Sequence, residues 1–221
     1  MGRKNTAYYH IKELFYTLQG EGAQMGRASV FCRFSGCNLW TGRKGDRLNA
    51  ICPFCDTDFV GVDGPNGGKF SSAHTLAEAI TSQWPVTRQV NTPTTPFVVC
   101  TGGEPLLQLD DALVAALHQR GFEVAIETNG TITPPSGIDW ICVSPKAGST
   151  LLLQEGHELK LVYPQTRAMP EDFVHLQFRH FFLQPMDGPL RERHTQEVIQ
   201  YCLQHPQWRL SLQTHKFLGI P

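Results

Sequence analysis

The second half of the sequence alternates short apolar runs with polar segments, and this alternation restricts the possible folds more than any other feature. The apolar runs are residues 122–126, 140–143, 159–162, 181–183 and 208–212. The polar segments that follow most of them are residues 127–130, 144–146, 184–188 and 213–216. Functional groups at the carboxyl ends of successive strands are typical of a parallel α/β barrel, whose site is built from the loops on that face.

Three segments have the periodicity of helices, at residues 75–84, 111–120 and 195–205. An open doubly wound sheet would need a helix after nearly every strand. Because the helices are fewer than the strands, we expect an α/β fold, a partial TIM-like barrel of about six strands with about three main helices. We predict two further strands, at residues 12–17 and 30–34, and two loops, at residues 61–72 and 85–96.

Length and composition indicate a globular protein and argue against two classes of partner. The 221 residues suit a single domain, residues 1–221. A net charge of −1 and an isoelectric point near 6.7 argue against a nucleic-acid binder that relies on neutralising phosphates. The sequence has no apolar signal segment and no stretch long enough to cross a bilayer, so we expect a cytoplasmic protein with no membrane partner.

Three cysteines lie within a predicted loop, residues 37–58. Fourteen residues separate Cys37 from Cys52, and two separate Cys52 from Cys55. Converging thiolates select zinc, copper(I) or an iron–sulfur cluster. Cys32 would complete a closed four-thiolate zinc site, but the alternation of strand 30–34 puts it on the apolar face with Val30, so we predict that it is not a ligand. Three thiolates leave one iron of a cubane open, although zinc with a distant histidine remains an alternative.

A second motif, Thr101-Gly102-Gly103-Glu104-Pro105, follows the short apolar run 97–100. Glycines at the end of a strand let a ligand lie against bare backbone. A cysteine loop after one strand and Gly-Gly-Glu-Pro after the next resemble the radical S-adenosylmethionine (SAM) superfamily. In that superfamily the open iron binds the amino and carboxylate groups of SAM, and the Gly-Gly-Glu-Pro backbone holds the methionyl amino group.

Further motifs resemble one family within that superfamily from end to end of the chain. In order, they are Gln19-Gly20-Glu21-Gly22, the long cysteine spacing, Cys55-Asp56-Thr57, the Gly-Gly-Glu-Pro motif, Glu127-Thr128-Asn129-Gly130, Ser144-Pro145-Lys146 and Gln184-Pro185-Met186-Asp187. This order resembles the 7-carboxy-7-deazaguanine synthases of queuosine and 7-deazapurine biosynthesis. The fourteen-residue spacing departs from the three residues usual in the superfamily, but a subgroup of these synthases has such a longer loop.

The resemblance implies a carbon–nitrogen lyase that uses a [4Fe–4S] cluster, SAM and Mg²⁺. Its reaction would take a hydrogen from C6 of 6-carboxy-5,6,7,8-tetrahydropterin, contract the ring and release ammonia. The implied partners are the pterin substrate and an electron donor such as flavodoxin, and the implied assembly is a homodimer. A glycyl-radical activating enzyme and a non-catalytic zinc module remain as alternatives.

The resemblance also assigns roles to individual residues, with no catalytic residue beyond the cofactors. The cluster ligands are Cys37, Cys52 and Cys55, and the magnesium ligand is Thr57. The SAM contacts are Phe54, Cys55, Asp56, Gly103, Ser144, Pro145, Lys146, Gln184, Pro185, Met186 and Asp187. The pterin contacts are Leu18, Gln19, Gly20, Glu21, Arg33, Thr101, His215 and Pro221.

Simpler interpretations stay open for several of these residues. Arg33 is suited to a substrate carboxylate, but an ion pair with a glutamate of the barrel interior such as Glu127 is its alternative. Glu21 can accept two hydrogen bonds from a 2-amino-4-oxo pyrimidine edge, or it is an exposed loop carboxylate. A lone threonine such as Thr57 more commonly caps a turn than binds Mg²⁺.

Overall fold

The computed structural model describes residues 8–85 and 94–221, and these form an α/β fold around one nine-stranded sheet. Along the chain the strands are β1 (Tyr9–Leu18), β2 (Ala28–Phe34), β3 (Gly68–Phe70), β4 (Phe97–Gly102), β5 (Glu123–Thr128), β6 (Trp140–Val143), β7 (Glu155–Tyr163), β8 (Gln177–Pro185) and β9 (Trp208–Leu210). In the sheet their order is β3-β1-β2-β4-β5-β6-β7-β8-β9. Neighbours from β2 to β9 are parallel, whereas β1 is antiparallel to β2 and β3.

The partial TIM-like barrel predicted from the sequence is confirmed, with more strands than the expected six. One reason is β3, which lies within the segment 61–72 that we predicted to be a loop. Its three residues pair with Tyr9, His10 and Ile11 of β1 by backbone hydrogen bonds. So short a strand has no alternation that a sequence pattern could reveal. Part of the predicted loop 85–96, residues 86–93, lies outside the described residues.

The three predicted helices are present, and a short fourth helix follows β9. They are α1 (Ala73–Gln83), α2 (Asp111–His118), α3 (Arg191–Gln204) and α4 (Thr214–Leu218). Ser72 caps α1 by accepting a hydrogen bond from the Thr75 amide, and Asp110 caps α2 in the same way. In the described ranges no helix has both the length and the apolar character needed to cross a bilayer.

The core lies between the outer face of the sheet and these helices. Val30, Cys32 and Phe34 alternate along β2 and are fully buried in one apolar cluster with residues of α1 and α2. A second cluster joins β7, β8 and α3 through Leu159, Leu183 and Val198, among others. The helices therefore cover one face of the sheet and leave the inner face free for polar side chains.

The two edges of the barrel are joined by the chain that follows β9. The amide and the hydroxyl of Thr214 both donate to the carbonyl of Gly20, over 3.0 and 2.8 Å. The amide of Gly22 donates to the Ser211 hydroxyl over 3.0 Å. These contacts link the β1–β2 loop to the segment 211–214 and thus close the side of the barrel that no strand pair closes.

Candidate active site

A cavity of about 370 Å³ lies where the parallel strands end. Its wall includes Arg33 of β2, Thr101 of β4, Thr128 of β5, Lys160 of β7 and Gln184 of β8. All five strands carry these residues at or near their carboxyl ends. This is the face on which barrel enzymes build their sites, so the cavity is the candidate active site.

Every residue assigned to the cluster, SAM, magnesium or the pterin lines this one cavity, except Pro145. Pro145 is buried behind the wall, and its carbonyl accepts a hydrogen bond from Gln165. The structure thus brings together residues from position 18 to position 221 of the sequence. Their individual roles remain predictions.

The three loop cysteines lie side by side at one end of the cavity. Cys52 hydrogen-bonds to Cys55, and this bond is the main cause that lowers the pKa of Cys55, to about 6. The pKa of Cys52, the other partner in that bond, is raised. Burial raises the pKa of Cys37, whose sulfur accepts from the Leu39 amide at 3.4 Å. All seven cysteines are free thiols.

The donor set at this end of the cavity is three thiols, and cysteine thiolates are the usual ligands of iron–sulfur clusters. Within the described residues no three His, Cys, Asp or Glu side chains converge on one point where an ion could be held. A cluster binds each thiolate through a different iron, so its ligands do not need to converge on one point. Cys32, the candidate fourth ligand, is fully buried on the opposite face of β2, beside Cys100 of β4, and the prediction that it packs in the core is confirmed.

The Gly-Gly-Glu-Pro segment holds the strand ends and the cysteine loop in contact. The Glu104 carboxylate is fully buried and accepts from the Leu106 and Asn129 amides and from the Thr128 hydroxyl, over 2.8 to 3.0 Å. Burial raises its pKa. A side chain at Gly103 would meet the carbonyl of Gly36, the residue before Cys37. Glycine at 103 is therefore required by the close approach of two backbones.

Lys146 places a positive charge beside the thiols. Its ammonium donates to the carbonyl and the hydroxyl of Ser144, over 2.7 and 2.6 Å. The charge is close enough to favour the thiolate forms of Cys52 and Cys55. Lys146 thus contributes positive potential at the end of the cavity where thiolate charge would collect.

The opposite wall carries a buried lysine that the sequence analysis did not single out. Lys160 is 2% exposed and donates to Glu21 at 2.5 Å and to Glu127 at 3.0 Å. The Glu21 side chain is 13% exposed, so the alternative that it is an exposed loop carboxylate is wrong. The segment 159–162, which we described as apolar, contains this lysine at an inward position.

Arg33 points into the cavity as expected, but its protein partner differs from the alternative we considered. Its Nε donates to Glu13 of β1 at 2.7 Å, whereas Glu127 pairs with Lys160. The guanidinium Nη groups are not used in this bond. A guanidinium group can bind a carboxylate through two parallel hydrogen bonds.

A lysine of α4 connects two segments assigned to SAM. The Lys216 ammonium lies 2.6 Å from Asp56 of the cysteine loop and 2.6 Å from Asp187 after β8. Burial raises the pKa of Asp56, but hydrogen bonds from Lys216 and Gln213 lower it more. The hydrogen bond from Lys216 likewise lowers the pKa of Asp187. Lys216 therefore fixes the cavity rim at the point where the cysteine loop, the segment after β8 and α4 meet.

Comparison with known proteins decides the family. No protein-family model matches the chain. A 7-carboxy-7-deazaguanine synthase from Bordetella pertussis is 66% identical over 213 residues, which are 96% of this chain and 99% of the relative. The chain belongs to the 7-carboxy-7-deazaguanine synthase family. Family membership makes it an enzyme of the lyase class, as the resemblance implied.

Other members of the synthase family extend the likeness to more distant sequences and to a solved structure. The 7-carboxy-7-deazaguanine synthase from Caulobacter vibrioides is 63% identical over 96% of this chain and 99% of its own length. The crystal structure of QueE from Escherichia coli superposes with a TM-score of 0.67 at 30% identity and covers 93% of both chains. The likeness therefore spans most of the fold.

Proposed function

We propose that the chain converts 6-carboxy-5,6,7,8-tetrahydropterin to 7-carboxy-7-deazaguanine and ammonia, a step of queuosine and 7-deazapurine biosynthesis. The observation that carries the proposal is the meeting of two features in one cavity: three free thiols and the two glycines of the Gly-Gly-Glu-Pro motif. Near-full-length identity to proteins named for this product supports it. The reaction would start with loss of hydrogen from C6 and continue with ring contraction.

The chain's own residues would bind and orient the cluster and SAM. Bound together, a [4Fe–4S] cluster and SAM would supply the organic radical that removes hydrogen from carbon. Cys37, Cys52 and Cys55 would hold the cluster, since they are the cavity's thiols. Asp56 and Asp187 would meet the positive groups of SAM, with which Lys216 would then compete.

The substrate half of the cavity presents charges that match a carboxylated pterin. Arg33 would bind the substrate carboxylate, and Glu21 would accept hydrogen bonds from the 2-amino-4-oxo edge. Thr57 lies on the cavity wall and would place its hydroxyl on Mg²⁺. The half-buried, stacked rings of Phe15 and Phe31 on the cavity wall would exclude water from the reacting carbon.

We also propose the compartment, assembly and electron donor that the family resemblance implies. The enzyme would act as a cytoplasmic homodimer reduced by a donor such as flavodoxin, and the free state of all seven cysteines supports a reducing compartment. Residues 1–221 would form one domain, because one sheet contains strands from Tyr9 to Leu210.

Anaerobic reconstitution followed by a product assay tests the function. Reconstituted protein should be brown, contain about four irons per chain, and form the deazaguanine with SAM, dithionite and carboxytetrahydropterin. Cys37→Ala is the negative control and should give neither iron nor product. Deoxyadenosine without the deazaguanine would mean a different substrate, and a colourless zinc protein would mean a non-catalytic module.

A further inference from the structure

Lys160, Glu21, Gln19 and Glu127 form a closed ring of hydrogen bonds on the cavity wall. Lys160 donates to the carboxylates of Glu21 and Glu127. The Glu21 amide donates to Gln19 Oε1 over 3.1 Å, and Gln19 Nε2 donates to Glu127 Oε1 over 2.9 Å. Each of the four residues therefore has two partners within the ring, and we call this set the carboxylate ring.

The ring fixes both the loop and the side chains that it contains. Glu21 and Gln19 belong to the loop after β1, whereas Glu127 and Lys160 are on β5 and β7. Three separate segments are thus joined through buried or half-buried groups. Removal of Lys160 would leave two neighbouring carboxylates without the cation between them, and such a pair separates or takes up a proton.

The ring also leaves hydrogen-bonding capacity directed at the cavity. An ammonium group has three N–H donors, and among the described residues Lys160 has two acceptors, Glu21 and Glu127. All four ring residues line the cavity. A ligand at this wall would therefore meet carboxylate acceptors next to a cationic donor.

We propose that Lys160 is a positioning and specificity-determining residue that makes the carboxylate ring selective for a 2-amino-4-oxo pyrimidine edge. The proposal rests on the proposed function. On such an edge, the 2-amino group and N3–H are donors and the 4-oxo group is an acceptor. Glu21 would accept from the donors, and Lys160 would hold Glu21 in place and donate to the oxo group. An edge with a 2-oxo group would instead bring an acceptor against the carboxylate.

The electrostatics of the wall keep Lys160 charged for this role. Burial lowers its pKa, but the nearby carboxylates of Glu127, Glu21 and Glu158 favour its charged form, and its pKa lies well above the ordinary value of lysine. For Glu127 the signs are reversed: burial raises its pKa, but the neighbouring Lys160 ammonium lowers it more. The ring therefore holds one positive and at least one negative charge, with the lysine side chain 3% exposed and those of Glu21 and Glu127 13% and 22% exposed.

The experiment measures ligand discrimination in the reconstituted enzyme with SAM and no reductant, so that no turnover occurs. The probes are 6-carboxypterin and 6-carboxylumazine, which has a 2-oxo group in place of the 2-amino group. Wild type should bind carboxypterin more tightly. Lys160→Met should weaken the binding of carboxypterin by at least about tenfold, as expected for a lost charge-assisted hydrogen bond. It should also abolish the preference for carboxypterin over carboxylumazine. SAM affinity should stay unchanged, and Lys69→Met, which removes an exposed lysine of β3, should behave as wild type.

Two other results would overturn either the proposed function or the role of Lys160. If wild type binds neither probe, the proposed function fails and the role of Lys160 falls with it. If wild type prefers carboxypterin and Lys160→Met keeps that preference, the function stands and the role of Lys160 is overturned.

A second variant covers the case in which Lys160→Met does not fold. Lys160→Met/Glu127→Gln removes one positive and one negative charge together and so restores the balance of the buried wall. It should fold and bind SAM, yet still lack the preference for carboxypterin. Wild-type preference in this double variant would overturn the proposal.

Discussion

The Asn129 side chain donates a hydrogen bond to Asn38 at 2.9 Å, although 91 residues separate them in the chain. Asn38 in turn donates to the Thr131 hydroxyl at 2.8 Å. Asn38 follows Cys37 directly, so these bonds connect the cysteine loop to the loop after β5. The position of the first thiol is therefore coupled to the central strands of the sheet.

Asn38→Ala should loosen this coupling without removing a ligand. Loss of hydrogen bonds worth about 1 kcal/mol should let a chelator extract iron about fivefold faster. The measurement is the bleaching rate of the reconstituted protein, with the exposed Asn49→Ala of the same loop as the control. Equal rates in the two variants would show that the loop does not depend on Asn38.

Cys32→Ala should leave the iron content at wild-type level, whereas Cys37→Ala should abolish it. The reason is that the Cys32 sulfur is fully buried in the core, on the face of β2 opposite the cavity. The substitution should lower the free energy of unfolding by about 1 kcal/mol for the small cavity it leaves. Iron analysis and thermal denaturation check both parts, and loss of iron from Cys32→Ala would add a fourth ligand.

Arg33→Lys should raise the KM for the carboxylated substrate by at least about tenfold, because lysine cannot form the paired hydrogen bonds of a guanidinium. Binding of SAM should not change. The control is Arg179→Lys, at an exposed position of β8. An unchanged KM would mean that Arg33 serves only its ion pair with Glu13.

Lys12 holds the segment after the cysteine loop against β1, and acid should weaken this contact. Its ammonium lies 2.9 Å from Asp58 and 2.8 Å from Asp63, and its hydrogen bonds lower the pKa of both carboxyl groups. The stability that they contribute is present above about pH 4, the unfolded pKa, and is lost as the pH falls through the lower folded values.

Lys12→Met should therefore make the stability of the metal-free chain less dependent on pH in the acid range. The effect should be small, because the carboxylate side chains are 72% and 80% exposed and solvent screens them. Urea midpoints from pH 3 to 6 measure it, with Lys69→Met as the control. Parallel pH profiles for the two variants would argue against this role of Lys12.

Much of the fold could be predicted because its signals are local. The alternation along residues 30–34 correctly assigned the faces of β2, and the periodicity of residues 75–84 correctly located α1, which spans Ala73–Gln83. The β3 strand could not be predicted in this way, since its pairing with β1 depends on backbone contacts across more than fifty residues. Local patterns contain no information about such a pairing.

The site was predictable where short motifs mark it and not where single residues do. Lys160 was missed because it interrupts an otherwise apolar segment, Leu159-Lys160-Leu161. In a parallel strand buried on both faces, a charge between two leucines points to the inner face, and this signal could have found it. Lys216 had no such signal, because its partners Asp56 and Asp187 are 160 and 29 residues away.

The joining of Gly20 to Thr214, 194 residues later, has a consequence for how the protein is made. During synthesis on a ribosome, the first strands emerge long before the segment that seals the barrel against them. The nascent chain can build its sheet strand by strand, but the cavity stays open to solvent until the segment that contains Thr214 has left the exit tunnel. Cofactor capture is then expected to follow translation rather than accompany it.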